Sequence, residues 1–191
     1  MSLVDRLSPS QSDDFTAAIQ EAKQGKSSGW NALFDHMYGI LMKYTLSHID
    51  DQHAAEDIVQ EVFVSASKSI SGLRGTSRPV VESWFLSIAK FRIRDAFRKP
   101  QQMQELPEDI PSTDDPANMA ADNLIASDIR TALAQLPEKQ RDVLIRRFIL
   151  DQSIEEVAQG MHRPKTAIKA LQHRAMKALS RELEHIREDI Q

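Results

Sequence analysis

Apolar residues recur three and four positions apart over most of the chain, which is the spacing of one helix face. In FDHMYGILMKYTL (34–46) they are Phe34, Met37, Tyr38, Leu41 and Met42, with Thr45 closing the series. AAEDIVQEVFVSASK (54–68) repeats the pattern with Ile58, Val59, Val62, Phe63 and Ala66. SISGLRGTSRP (69–79) interrupts it with two glycines and a proline and reads as a loop. A further helix is expected from about 80 to 98, with Val81, Trp84, Phe85 and Ile88 on one side and Pro100 beyond its end. No stretch alternates β-branched with polar residues, so the pattern predicts an all-α chain.

The character changes from 101 to 128. That stretch carries seven acids, three prolines and no base. Its first two-thirds lacks the apolar residues to build a core and reads as a linker. Fully extended it would reach on the order of 90 Å at about 3.3 Å per residue. Helical spacing resumes near Asn123. In LPEKQRDVLIRRFIL (136–150), Pro137 suits a first helical position. Ser153 followed by Glu156 is a capping-box pattern opening the short helix IEEVAQGM. A turn at His162–Arg163 follows, and Pro164 can open the last helix. The chain therefore divides into a helical module over 15–100, an acidic linker over 101–122 and a second helical module over 123–185.

Charge sharpens this picture. The 191-residue chain is acidic, with a formal net charge of −4. Yet RPKTAIKALQHRAMKALSR (163–181) holds six Lys or Arg and no Asp or Glu. On a helical wheel Ile168, Leu171, Ala175, Ala178 and Leu179 share one arc and form a core-facing stripe. Thr166, Lys169, Ala170, His173, Arg174, Lys177 and Arg181 fall on the other side. Solvated helix faces usually mix signs and gain i,i+4 pairs. A face of one sign fits a negatively charged partner better. A short helix, a tight turn and a basic helix make a helix-turn-helix, whose second helix enters the DNA major groove. Lys and Arg supply the attraction to phosphates and can donate to guanine edges.

The first module has a basic stripe too. In WFLSIAKFRIRDAFRK (84–99), Lys90, Arg94 and Arg98 stand four apart, with Arg92 and Lys99 beside them. Acid gathers instead in DDQHAAEDIVQE (50–61), where Glu56, Asp57 and Glu61 lie close together on a helix. That surface would repel DNA and suits protein docking. His53 lies among these carboxylates, but nothing else gives metal-ligand spacing, so no metal or cofactor is expected. GLRG (72–75) lacks the spacing of a phosphate-binding loop. No nucleophile, base or metal set converges in the sequence, and no enzyme activity is expected. The absence of cysteine removes disulfides and thiol chemistry. No apolar run approaches the roughly 18 residues of a membrane span. The first fifteen residues lack the basic start and apolar core of a signal peptide, so a cytoplasmic protein without membrane insertion is expected.

These segments, in this order, resemble the sigma-70 family of RNA polymerase sigma factors, specifically its extracytoplasmic-function (ECF) group. AAEDIVQEVFVSASK is similar to the region 2.2 helix, ESWFLSIAKFRIRDAFRK to regions 2.3 and 2.4, and residues 136–179 to region 4. The resemblance implies a protein that binds core RNA polymerase through its β and β′ subunits. It would recognise the −35 and −10 elements of promoter DNA, melt the −10 region and direct initiation. Position by position, it implies that Asp57, Gln60 and Glu61 face the polymerase clamp. The loop 71–77, with Ser71, Gly72 and Arg74, would hold a flipped −10 base. Lys90, Arg94 and Arg98 would track the melted strand. Lys165, Thr166, Lys169, Ala170 and His173 would meet the −35 duplex, with Arg174 and Lys177 nearer the phosphates. The acidic linker would thread polymerase channels that otherwise hold RNA. An anti-sigma factor is a further implied partner.

The chain departs from the family pattern at four positions. His162 stands where the helix-turn-helix turn usually has glycine, and Pro164 where the recognition-helix cap is often serine. Phe91 replaces a common asparagine, and Ser67 an aromatic. Trp84 matches a family tryptophan and reads as a core residue. A second reading is a helix-turn-helix regulator that binds operator DNA as a dimer, with 15–99 as a sensing domain.

Overall fold

The computed structural model describes residues 9–98 and 116–189, and these are helical throughout apart from turns. The first module holds α1 (Pro9–Lys23), α2 (Ser27–Leu46), α3 (Gln52–Ser69), a single 3₁₀ turn at Ile70–Gly72, and α4 (Arg78–Arg98). The second holds α5 (Pro116–Gln135), α6 (Glu138–Leu144) running into a π-turn at Ile145–Ile149, α7 (Ile154–Gly160) and α8 (Lys165–Asp189). The expected linker over 101–122 lies mostly outside the described residues, and α5 begins at Pro116, ahead of the Asn123 that the periodicity suggests.

Local chemistry sets the boundaries. Asp51 caps α3, its carboxylate accepting from the backbone N–H of His53 and Ala54. Ser153 and Glu156 complete the expected capping box at the start of α7. Pro137 sits one position earlier than expected, as the N-cap of α6. Gly25 turns the chain between α1 and α2 at φ 78°, and Gly29 lets α2 cross α1 closely. A Cβ at Gly29 would lie 2.5 Å from the Ala18 carbonyl oxygen.

The buried face of α2 is Leu33, Met37, Leu41 and Tyr44. Phe34 and Tyr38, expected on that stripe, point outward and stack on each other, and Phe34 also meets Phe63 at a tilt. The buried stripe is instead Leu33, Met37, Leu41, Tyr44 and Thr45. Ile58, Val59, Val62 and Ala66 of α3 and Val81, Phe85, Leu86, Ala89 and Ile93 of α4 complete the first core. Each large apolar side chain buried here contributes roughly 1.5–3 kcal/mol. Trp84 packs against this core, edge-on to Phe85.

The two modules are not spaced apart. Leu133, Leu136, Leu144, Ile145 and Ala175 of the second module belong to the same apolar cluster as Tyr44, Phe85 and Leu86 of the first. A smaller cluster of Val143, Val157, Ala158, Ile168 and Leu171 holds the second module together internally.

Candidate nucleic-acid interface

The helix-turn-helix is built as its sequence suggests. His162 takes the left-handed conformation at φ 51°. Its N–H donates to Gln159 O, and Arg163 N–H donates to Ala158 O, so the two bonds of a Schellman motif close α7. Histidine thus fills the place of glycine, at the cost a Cβ imposes there. Pro164 gives up no bond, and its carbonyl accepts from Ala167 and Ile168 to start α8.

On α8, Ile168, Leu171 and Ala175 are buried against the second module. Lys165, Thr166, Lys169, Ala170, His173, Arg174 and Lys177 are all exposed, in agreement with the wheel. One of them is engaged: Lys165 Nζ lies 2.7 Å from Glu155 of α7. That ammonium holds the Glu155 carboxyl below the usual carboxylate range.

The first module offers two further surfaces. Asp57, Gln60 and Glu61 are exposed on one side of α3. Glu61 is also tied to the basic helix, 3.6 Å from Arg92, which donates from Nη2 to Ser65 Oγ at 2.6 Å. Ser71, Gly72 and Arg74 are exposed in and just after the 3₁₀ turn. The stripe Lys90–Arg94–Arg98 is divided. Arg94 and Arg98 stand outward, Arg94 over the exposed Phe91 ring at 5.7 Å and Arg98 beside Asp95. Lys90 instead reaches across to Glu138 of α6 at 2.5 Å. The bond from Lys90 depresses the Glu138 carboxyl below its ordinary range.

The seam between the modules is lined with polar pairs that the sequence pattern does not signal. Tyr44 Oη donates to Asp142 Oδ1 at 3.2 Å, and Arg146 Nε donates to Asp142 Oδ2 at 3.2 Å. Burial first, and the Asp142 carboxylate second, hold the Tyr44 hydroxyl protonated well above the ordinary range. Arg146 also donates to Ser83 Oγ at 3.2 Å. Glu82, buried, accepts from Gln152 at 2.8 Å and meets His36 Nε2 at 2.8 Å. Gln159 donates to Ser77 Oγ at 2.9 Å, and Arg130 pairs with Asp50. A cavity of about 200 Å³ lies in this seam, walled by both modules and lined by Tyr44, His48, Lys90, Arg94, Glu138 and Arg141 among others. Among the described residues no helix is long and apolar enough to cross a membrane.

The family model for Sigma-70 region 2 matches residues 33–102, and that for Sigma-70, region 4 matches residues 126–179. The chain is 30% identical over 167 residues to the ECF RNA polymerase sigma factor SigX of Bacillus subtilis, covering 83% of this chain and 85% of that protein. It is 28% identical over 179 residues to the ECF RNA polymerase sigma factor ShbA of Streptomyces griseus, covering 85% and 92%. Among solved structures it resembles CnrH in complex with the cytosolic domain of CnrY. The TM-score there is 0.64 at 20% identity, over 90% of this chain and 97% of that one. It also resembles the sigma factor RpoE bound to the anti-sigma factor NepR from Bartonella quintana, with a TM-score of 0.53 at 19% identity, over 81% and 96%.

Proposed function

Since the chain belongs to the sigma-70 family, as an ECF RNA polymerase sigma factor, we propose that its two modules divide the work of initiation along the lines of their exposed charge. The observation that carries this is the exposed face of α8 up to Arg181, which holds Lys165, Lys169, Arg174, Lys177 and Arg181 and no acid, set on an apolar stripe inside a closed helix-turn-helix. In this reading residues 123–185 read the −35 duplex. Lys165, Thr166, Lys169, Ala170 and His173 face the groove, and Arg174 and Lys177 face phosphates.

Residues 15–100 bind core polymerase and the −10 element. Asp57, Gln60 and Glu61 form the polymerase-facing surface, where like charge keeps DNA away. Ser71, Gly72 and Arg74 border the seat of a flipped base, and Lys90, Arg94 and Arg98 follow the displaced strand. Flipping a base costs a few kcal/mol, which the seat and the cations must offset. The protein contributes positioning and electrostatics, and we assign it no catalysis of its own. Its place is the cytoplasm, with core polymerase, promoter DNA and an anti-sigma factor as partners.

The family assignment of the first module sets aside the operator-binding dimer. A cavity of about 200 Å³ lies between the modules. The test is electrophoretic mobility of promoter duplex with core polymerase, with the protein, and with both. A shifted complex is expected only with both, because the net charge of −4 opposes binding by the free chain. Tight sequence-specific binding by the protein alone would favour the dimeric regulator.

A further inference from the structure

We propose that a phosphate-binding site lies where α4, α6 and the turn between α7 and α8 meet, and that it takes the diphosphate group of a small molecule. A cavity of about 300 Å³ occupies that junction, at the small end of ligand sites. Lys90 of α4, Lys139 of α6, Arg146 of the π-turn and Arg163 of the α7–α8 turn all line it, against a single carboxylate, Asp142. Both modules contribute cations, and the apolar cluster they share holds these walls together.

The one acid does not balance the cations. Asp142 Oδ1 is taken by Tyr44 and Oδ2 by Arg146. Lys90 has its own partner in Glu138. Lys139 and Arg163 are exposed and make no ion pair with any described residue. Cations that face one cavity repel each other, and the repulsion grows as water is excluded. An anion between them removes it, and the charge of a diphosphate matches the two cations left over.

Arg146 points to the same chemistry. Its side chain is 5% exposed. Nε donates to Asp142 and Nη2 to Ser83 Oγ, both at 3.2 Å. Nη1 is buried without a hydrogen-bond partner among the described residues, and such a group is costly until it finds an acceptor. Ser83 Oγ accepts from Arg146 and keeps its own proton to donate. A guanidinium, a hydroxyl and an ammonium are donors that phosphate oxygens take well. Arg146 also stands in a π-turn, a distortion frequent at functional sites. The 200 Å³ cavity described above shares Lys90 and Asp142 with this one and adds Ile93 and Phe97. It offers an apolar bed to whatever the diphosphate is attached to.

The test is lysine footprinting of the full-length protein. Acetic anhydride is applied in sodium chloride, sodium pyrophosphate or ADP at matched ionic strength, because salt screens exposed charges. Acetylation is read at each lysine by mass spectrometry, and calorimetry gives affinity and stoichiometry. Pyrophosphate and ADP should each bind once per chain and protect Lys139. Lys169 and Lys177 of α8 should stay as reactive as in chloride. Arg163→Gln should weaken binding about tenfold, the order of one hydrogen bond to a charged group, with helix content unchanged by circular dichroism.

Protection of Lys169 or Lys177 in place of Lys139 puts the phosphate on the α8 face and overturns the cavity site. Absence of binding by both probes overturns it too, as does an Arg163→Gln variant that binds like the wild type. The footprint needs no variant, so it decides between these outcomes even if Arg163→Gln loses helix content. The two sources of a diphosphate also separate. Tighter binding of ADP than of pyrophosphate, with the difference lost in Phe97→Ala, supports the site with a nucleotide in it. Equal affinities support it with inorganic pyrophosphate.

Discussion

Tyr44 and Asp142, ninety-eight positions apart, share a buried hydrogen bond of 3.2 Å across the seam. Asp142 is one turn from Arg146, which donates to its other oxygen. The carboxylate is thus satisfied from both modules at once. Tyr44→Phe should remove one donor and leave Oδ1 buried and short of a partner, costing about 1–3 kcal/mol. Chemical denaturation should show that loss. A double-mutant cycle with Asp142→Ala, which removes the acceptor, should show strong coupling between the two positions. Independent, additive effects would mean that the bond contributes nothing.

His48 gives the seam a pH dependence. Burial is the main cause that lowers its pKa below the ordinary value near 6.5, and Arg141 and Lys90 push the same way. The bond to the Tyr44 carbonyl and the Asp142 carboxylate oppose them. The folded state thus binds fewer protons than the unfolded chain once the pH drops below about 6.5. Stability from this group is present above that pH and declines as the pH falls. Urea midpoints measured between pH 7.5 and 5.5 should decrease, and His48→Asn should flatten the decrease.

On α8, Lys169 is exposed and makes no ion pair with any described residue. Lys169→Glu should therefore leave the melting temperature nearly unchanged while abolishing −35-dependent transcription. Core binding, assigned above to the first module, should survive. Loss of core binding together with transcription would make the helix structural.

The capping box at Ser153 stabilises the short α7 and so the whole helix-turn-helix. Ser153→Ala should cost about 1 kcal/mol, within the range for lost N-caps, and lower the thermal midpoint. Ser153→Asp, which keeps an acceptor for the Glu156 N–H, should recover most of it.

Helix type and sequence order were legible because the three-and-four spacing is local and the caps are local. The cationic face of α8 was legible for the same reason, since a wheel places Lys169 and Lys177 opposite Ile168 without any tertiary knowledge. Which stripe of α2 would be buried was not. Phe34 and Tyr38 are as apolar as Leu33 and Tyr44, and only the way the neighbouring helices pack on α2 decides between them. The seam left no trace in the pattern. Glu82 and Gln152, or Gln159 and Ser77, are ordinary polar residues until the fold brings them together from 70 and 82 positions away. Lys90 and Lys165 read as free cations because their partners, Glu138 and Glu155, lie on other helices.

Run-off transcription tests the central claim most directly. Core RNA polymerase is supplied with and without this protein on a pool of promoter fragments from its own genome. The account predicts new, discrete transcripts that depend on the protein and share upstream sequence at two spaced elements. Transcription that is unchanged, with no binding to core polymerase, would contradict it.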